Sequence, residues 1–295
     1  MNGKGVVLIT GTTSKLGFGF LIADTLTRAG YRVFGAMRDM ATRNEQAAAD
    51  LRAAGITPIE IDVTSDASVA AGVDEVARAA GGRIDVLVNN AGISSFGVSE
   101  AISIEHLQRL FDVNVIGVLR MNRAVLPLMR AQGSGLLVHL SSLIARVTMP
   151  FMTPYSASKA AVESIAEGTR YELSGLGVDS VLVEPGAFPT DLMKGAVFPT
   201  DAATVAAYGP IAGIPQKMGE GLGALFSSPN APRPQDVADT VLRLIETPAG
   251  SRPLRTTVGG HTAPIDGLNE HTDQVTSGWL GGWGLGDLLK IRGAQ

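Results

Sequence analysis

Tyr155 and Lys159 stand four residues apart in Tyr155-Ser156-Ala157-Ser158-Lys159. In a helix that spacing puts both side chains on one face. A free phenol titrates near ~10 and is a poor acid–base group at neutral pH. An ammonium beside it favours the phenolate and brings its proton into play. The pair is therefore a candidate acid–base couple. Ser142 lies thirteen residues upstream (155 − 142 = 13). Its hydroxyl can donate to an oxygen on which negative charge develops. A second chemistry-bearing stretch opens the chain. The run Gly5–Thr10 leads into Thr10-Gly11-Thr12-Thr13-Ser14-Lys15-Leu16-Gly17-Phe18-Gly19. A strand, a glycine-bearing turn and a helix N-terminus make a dinucleotide phosphate site, because backbone N–H groups and the helix dipole face the anion. The same residues also suit a tight strand-to-helix turn without a ligand.

Strand-like and helix-like segments alternate around these residues. Apolar runs predict strands at Gly5–Thr10, Tyr31–Met37, Thr57–Ile61, Ile84–Asn89, Leu136–Leu140 and Val178–Val183. Helical spacing predicts helices at Gly17–Ala29, Glu45–Ala54, Asp66–Ala80, Ile104–Ala131, Tyr155–Leu176 and Pro234–Glu246. Strand then helix, repeated, with continuous apolar strands, implies an α/β fold. Its parallel sheet is doubly wound, with helices on both faces. No repeat or low-complexity linker divides the chain, so residues 1–295 read as one domain. The rhythm breaks after residue 190. Residues 188–234 are rich in Gly, Pro and Ala and read as a substrate-covering lobe. Residues 250–295 form a Gly-rich extension with both tryptophans, Trp279 and Trp283.

The ends of the second and third strands bear on the coenzyme. Such sheets commonly place an acid at the end of the second strand for the ribose 2′-hydroxyl, whereas an arginine suits a 2′-phosphate. Met37 fills that position and Arg38 follows, which favours NADP, with NAD possible. The alternative is a solvated Arg38 with Asp39 carrying the ribose contact. Asp62, followed by Val63, can accept from an adenine amino group or can cap the next helix.

Further features complete a pattern. Asn89-Asn90-Ala91-Gly92 ends the fourth strand, Asn114 lies in the following helix, and Pro185-Gly186 follows the sixth strand. In this order, with the phosphate turn, Ser142 and the Tyr155–Lys159 pair, they resemble the short-chain dehydrogenase/reductase family over residues 5 to 190. The Met37-Arg38-Asp39 segment and the region of Ser142 look most like its steroid- and retinol-dehydrogenase-like branch. The resemblance implies a three-layer Rossmann fold and a catalytic set of Ser142, Tyr155, Lys159 and Asn114. It also implies that Lys159 holds the nicotinamide ribose and that Asn114 supports a proton-relaying water. It places Gly11, Ser14, Lys15, Leu16 and Gly17 around the phosphates, and Asn90, Ala91 and Gly92 against the adenosine. Pro185, Gly186, Phe188 and Thr190 then fall near the nicotinamide. One position departs. The family's turn reads TGxxxGxG, and Lys15 replaces its middle glycine. Either Lys15 is a compensating phosphate ligand or the turn is damaged. The intact downstream set favours the first.

Composition closes off other classes. A net charge of −4 and the absence of a Lys/Arg run argue against a nucleic-acid partner. The chain has no cysteine, which excludes disulfides and thiol nucleophiles and fits a cytoplasmic location. No signal-peptide pattern or bilayer-spanning run is expected. His106, His139, His261 and His271 show no metal-ligand spacing. The small residues Ala157, Ala160, Ala161, Ser164 and Gly168 permit close packing to the sheet or to a second subunit, and the resemblance implies a dimer or tetramer. The expected activity is hydride transfer between a nicotinamide coenzyme and a carbonyl or secondary alcohol of a moderately large apolar substrate. The alternatives are a sugar-nucleotide epimerase or dehydratase with the same Tyr–Lys pair, and a non-catalytic nucleotide sensor or scaffold.

Overall fold

In the computed structural model, which describes residues 4–292, the first half of the chain runs β1 (Val6–Thr10), α1 (Phe18–Arg28), β2 (Arg32–Met37), α2 (Glu45–Ala53), β3 (Thr57–Glu60), α3 (Asp66–Ala79), β4 (Val86–Asn89), α4 (Ile104–Phe111), α5 (Gly117–Gln132) and β5 (Gly135–Leu140). The second half runs α6 (Thr153–Leu173), β6 (Val178–Pro185), α7 (Ala202–Ala207), α8 (Ile214–Phe226), α9 (Gln235–Glu246), β7 (Arg255–Val258) and α10 (Ala263–Gly282). Residues 1–3 and 293–295 of the expected 1–295 unit lie outside the described residues.

All five residues of β1 are buried, which is why its sequence is apolar without alternation. Successive side chains point to opposite faces. Val7 and Ile9 pack with Ile22 and Leu26 of α1, Leu51 of α2 and Val237 and Val241 of α9. Val6 and Leu8 pack on the other face with Val73 of α3, Met121 and Val125 of α5 and Leu173 of α6. Two helical layers thus cover one sheet, and the expected doubly wound α/β fold is observed. The seven strands are parallel, in the order β3-β2-β1-β4-β5-β6-β7. The chain winds one way from β1 to β3 and the other way from β4 to β7. The crevice beyond the carboxyl ends of β1 and β4 is therefore the switch point where such sheets bind ligands.

Three expectations change. The helix foreseen over 104–131 is interrupted by a π-helical turn at Asp112–Ile116. The lobe at 188–234 holds two helices, α7 and α8, in which no residue is buried. The C-terminal stretch supplies a seventh strand and the twenty-residue α10. The ends of β7 are buried while its sequence, Arg-Thr-Thr-Val, is polar. Among the described residues no helix is long and apolar enough to cross a membrane.

Candidate active site

The phosphate turn is built to bring backbone close. Gly11 adopts a φ of +73°, and a Cβ there would lie 2.8 Å from the Cα of Ala91. Its N–H donates to the Ala36 carbonyl at 2.9 Å, which pins the turn to β2. The end of β4 is stitched to the same turn. Thr10 Oγ1 accepts from the N–H groups of Asn90 and Ala91, both at 3.0 Å. Asn90 Nδ2 donates to the carbonyls of Thr10 and Gly11 at 2.8 and 3.0 Å. The amide of Asn90 therefore shapes the turn, and Ala91 and Gly92 continue from it. Gly17 caps α1 with no side-chain hydrogen bond and no acid in the first turn. That leaves the N-terminus of α1 suited to an anion. Gly19, which sequence reasoning left out of the site, is the tightest of these contacts. A Cβ there would come within 2.4 Å of the Gly11 carbonyl oxygen and 2.6 Å of Asn90 Nδ2. Its place two residues after Gly17 was the available signal. The backbone cradle fits a dinucleotide.

Charged groups around the cradle are partnered. Ser14 Oγ donates to Asp191 Oδ2 at 2.6 Å, linking the turn to the segment after Thr190. Leu16 is exposed. Lys15 Nζ lies 2.9 Å from Asp50 Oδ1 on α2, with the lysine side chain 61% exposed. Arg38 sits 3.6 Å from Asp62 and 3.8 Å from Asp39. Asp62 is not the cap of α3, because Ser65 accepts from Ser68 N–H in that role. Asp62 Oδ1 instead accepts from Thr64 N–H and Oγ1 at 2.9 and 2.7 Å. Burial pushes its carboxyl up, but these bonds and the Arg38 charge outweigh it and hold it below the usual range. Val63 packs against Gly117, where a Cβ would come within 3.0 Å of it.

The chemical group assembles beyond β4, β5 and β6. Lys159 Nζ donates to the Leu140 carbonyl at 2.7 Å and stands 5.7 Å from the centre of the Tyr155 ring. The Tyr155 N–H donates to Ser95 Oγ at 3.1 Å. Ser142 Oγ donates to the Pro185 carbonyl at 3.3 Å. Asn114 sits in the π-helical turn and is buried. Its Oδ1 accepts from Ile93 N–H at 2.8 Å, and its Nδ2 donates to the Ile93 carbonyl at 2.8 Å and to Ser158 Oγ at 3.0 Å. Ser158 Oγ donates in turn to the Tyr155 carbonyl at 2.7 Å, so Asn114 is tied to the first turn of α6. A Cβ on Gly92 would lie 3.3 Å from Asn114 Oδ1 and 3.7 Å from Lys159 Nζ. Gly92 thus belongs to this group by position. Gly186 N–H donates to the Val258 carbonyl at 2.9 Å. Phe188 meets Phe18 of α1 edge-on, 5.4 Å between ring centres. Thr190 N–H donates to the Phe188 carbonyl at 2.8 Å.

The electrostatics differ from the simplest expectation. Burial pushes the Tyr155 hydroxyl up rather than down, and the Lys159 ammonium is directed at the Leu140 carbonyl. Burial also pushes Lys159 down to about 8, opposed by the charge of Glu163. His139 is fully buried, with Nδ1 3.3 Å from Asn89 Nδ2. Burial and the Lys159 charge lower it to about 3, so it is neutral at physiological pH.

Comparison with known proteins agrees with this architecture. The short chain dehydrogenase family profile matches residues 5–198. Bovine retinol dehydrogenase 8 is 32% identical over 275 residues, covering 89% of this chain and 84% of that protein. A crystal structure of a short-chain dehydrogenase from Streptomyces avermitilis superposes with a TM-score of 0.74 at 34% identity, covering 96% of this chain and 97% of the other. A singly substituted actinorhodin polyketide ketoreductase, crystallised with NADPH, gives a TM-score of 0.72 at 29% identity, with 87% and 96% covered. The chain belongs to the short-chain dehydrogenase/reductase family of nicotinamide-dependent oxidoreductases, in its retinol- and steroid-dehydrogenase-like branch.

Proposed function

We propose that this chain reduces a ketone, or oxidises the matching secondary alcohol, on a moderately large apolar substrate, with NADP(H) as the preferred coenzyme. The observation that carries the reading is the convergence of Ser142, Tyr155, Lys159 and Asn114 at the strand ends beside the phosphate turn. The coenzyme, when bound, supplies or accepts the hydride. Gly11, Gly17, Ser14, Lys15 and Leu16 hold its phosphates. Asn90, Ala91, Gly92, Asp62 and Val63 hold the adenosine half. Pro185, Gly186, Phe188 and Thr190 line the nicotinamide end. In reduction the Tyr155 hydroxyl donates its proton to the substrate oxygen. Ser142 turns its hydroxyl from the Pro185 carbonyl, a long bond at 3.3 Å, towards that oxygen and stabilises its charge. Lys159 holds positive charge beside the ring and contacts the ribose. Asn114 anchors the helix start and the path by which Lys159 is reprotonated. Tyr155→Phe against a ketone panel tests this assignment; undiminished coenzyme oxidation would refute it.

The substrate class rests on the lobe. Residues 188–234 expose Leu192, Met193, Phe198, Tyr208, Ile211 and Leu225, an apolar surface that a covered substrate would bury. We read this lobe and the extension from residue 250 as additions to one Rossmann-type unit. Ala157, Ala160 and Ser164 face solvent on α6, which supports packing of that face against a second copy in a dimer or tetramer. A monomeric mass in light scattering would remove that part.

NADP preference rests on Arg38 and Lys15. Lys15 and Arg38 are themselves exposed, and ion pairs of such side chains contribute little, so a 2′-phosphate can compete for both cations. The Michaelis constant for NADPH should lie below that for NADH. Lys15→Gly should raise it roughly tenfold, about 1.4 kcal/mol for one lost charge-assisted contact. An NADH constant at or below that for NADPH refutes the preference. Unchanged or tighter NADPH binding in Lys15→Gly removes Lys15 from the site.

A further inference from the structure

One turn beyond Lys159 on α6, the protein buries a cluster of charge that the reaction itself does not use. Glu163 of α6, Glu184 of β6 and Arg255 of β7 are all buried. Glu163 Oε1 accepts from Ser141 Oγ at 2.7 Å. Glu184 Oε2 accepts from Asn269 Nδ2 of α10 at 2.6 Å. The other oxygen of each carboxyl, Glu163 Oε2 and Glu184 Oε1, has no hydrogen-bond partner among the described residues, and neither has Arg255 Nε. These three atoms converge. Arg255 Nε lies 3.7 Å from Glu163 Oε2 and 3.9 Å from Glu184 Oε1.

The surroundings are short of positive charge. The terminal nitrogens of Arg255 engage Glu167 of α6 and Asp273 of α10. Arg146, in the loop after Ser142, approaches Glu163 Oε2 at 3.6 Å. Four carboxyls, on Glu163, Glu167, Glu184 and Asp273, therefore meet two guanidiniums. Tyr171 on α6 is bound to Glu167. Arg170 and Arg252 are occupied by Asp179. His139 on β5 is uncharged, which leaves Lys159 as the other cation facing this cluster. Buried charge without a partner is costly, and two adjacent carboxyls do not both ionise there. Burial and the Glu163 carboxylate push Glu184 up, so the proton rests on Glu184 and the charge on Glu163. That charge is also what opposes the loss of the Lys159 proton.

We propose that Glu163 and Glu184 share one proton, and that the single negative charge they retain, seated on Glu163, is a positioning device that keeps Lys159 charged beneath Tyr155. The same carboxylate ties α6 to Ser141, the neighbour of Ser142. Arg255 and Asn269 make β7 and α10 part of this support, so the C-terminal segment acts on the site from behind. The proposal rests on the acid–base reading of Tyr155 and Lys159 above.

The test is the pH profile of kcat for ketone reduction in wild type, Glu163→Gln, Glu184→Gln and the double variant, each checked for folding by thermal unfolding. Glutamine keeps an oxygen for Ser141 and removes only the charge. The alkaline limb should move to lower pH by about one unit in Glu163→Gln, by less in Glu184→Gln, and in the double variant at least as far as in Glu163→Gln. Glu163→Asp, which restores the charge, should return it towards wild type. Infrared spectroscopy reads the proton without activity: the carbonyl stretch of a protonated carboxyl, present at neutral pH, should weaken in Glu184→Gln. A limb that stays in place in Glu163→Gln while the rate falls equally at every pH overturns the proposal. So does an infrared band unchanged in Glu184→Gln. If Tyr155→Phe retains full activity, the acid–base reading has failed instead, and the infrared band alone decides whether the pair holds its proton.

Discussion

Tyr155→Phe should lower kcat for NADPH-dependent ketone reduction by roughly 100- to 10,000-fold, with little change in the Michaelis constant for the coenzyme. The substitution removes one oxygen from a ring that is 6% exposed and leaves the main-chain bonds of Tyr155 to Ser95 and Ser158 intact. Lys159 keeps its bond to the Leu140 carbonyl. What is lost is the proton donor. Because burial pushes the Tyr155 hydroxyl up, it is protonated across the working range, the form that reduction needs. Oxidation of an alcohol needs the opposite form and should quicken as pH rises. Lys159 sets a limit on reduction. With its ammonium pushed down to about 8, its charge is full below that pH and lost as pH rises through it, so the wild-type rate should fall above about pH 8. Steady-state rates with a panel of apolar ketones, followed by coenzyme absorbance, check both statements. Equal rates in wild type and Tyr155→Phe would overturn the catalytic assignment, and turnover by neither would favour a nucleotide-binding sensor. Turnover of a sugar nucleotide without net coenzyme consumption would favour the epimerase reading.

Most of the sheet was legible because β1, β2, β4, β5 and β6 are almost wholly buried and so read as apolar runs. β7 escaped for the opposite reason. Arg255 and Thr257 carry polar atoms that find partners only after folding, Arg255 with Glu167 and Asp273, and Thr257 with Asp266 at 2.6 Å. No local pattern encodes such partners. The π-helical turn around Asn114 escaped because one inserted residue shifts helical phase without changing composition. It is nonetheless what turns the Asn114 amide towards Ile93 and Ser158. The lobe helices α7 and α8 bury nothing, so their sequences carry no core stripe to detect. At the proposed site, types and spacing singled out Ser142, Tyr155 and Lys159. The direction of the Lys159 ammonium depended on the Leu140 carbonyl, nineteen residues away, and the burial that pushes Tyr155 up came only with the fold. The partners of Lys15 and Arg38 were equally out of reach, since Asp50 and Asp62 come from other elements.

Gly19→Ala should destabilise the fold and weaken dinucleotide binding together, although it adds one methyl group. In a helix such a change ordinarily stabilises, by roughly 0.5–1 kcal/mol. At Gly19 the added carbon would stand 2.4 Å from the Gly11 carbonyl oxygen. That oxygen is backbone and is itself held by Asn90 Nδ2 at 3.0 Å, so it cannot swing aside as a flexible side chain would. Relief requires α1 to move away from the turn. Overpacking of this kind costs about 1–3 kcal/mol, or a fall in Tm of roughly 2–4 °C per kcal/mol for a large domain. The same displacement carries the uncapped N-terminus of α1 away from the anion, so NADPH affinity should drop at least about tenfold, ~1.4 kcal/mol. Gly168→Ala is the matched control. It also lies in a helix, α6, but its added carbon would meet nothing within 4 Å, and it should leave Tm level or raise it. Thermal unfolding and fluorescence titration with NADPH separate the two effects. If Gly19→Ala binds NADPH as the wild type does, the close approach of α1 to the turn is not what builds the phosphate cradle, and Gly11 with the backbone of Ser14 to Gly17 must suffice.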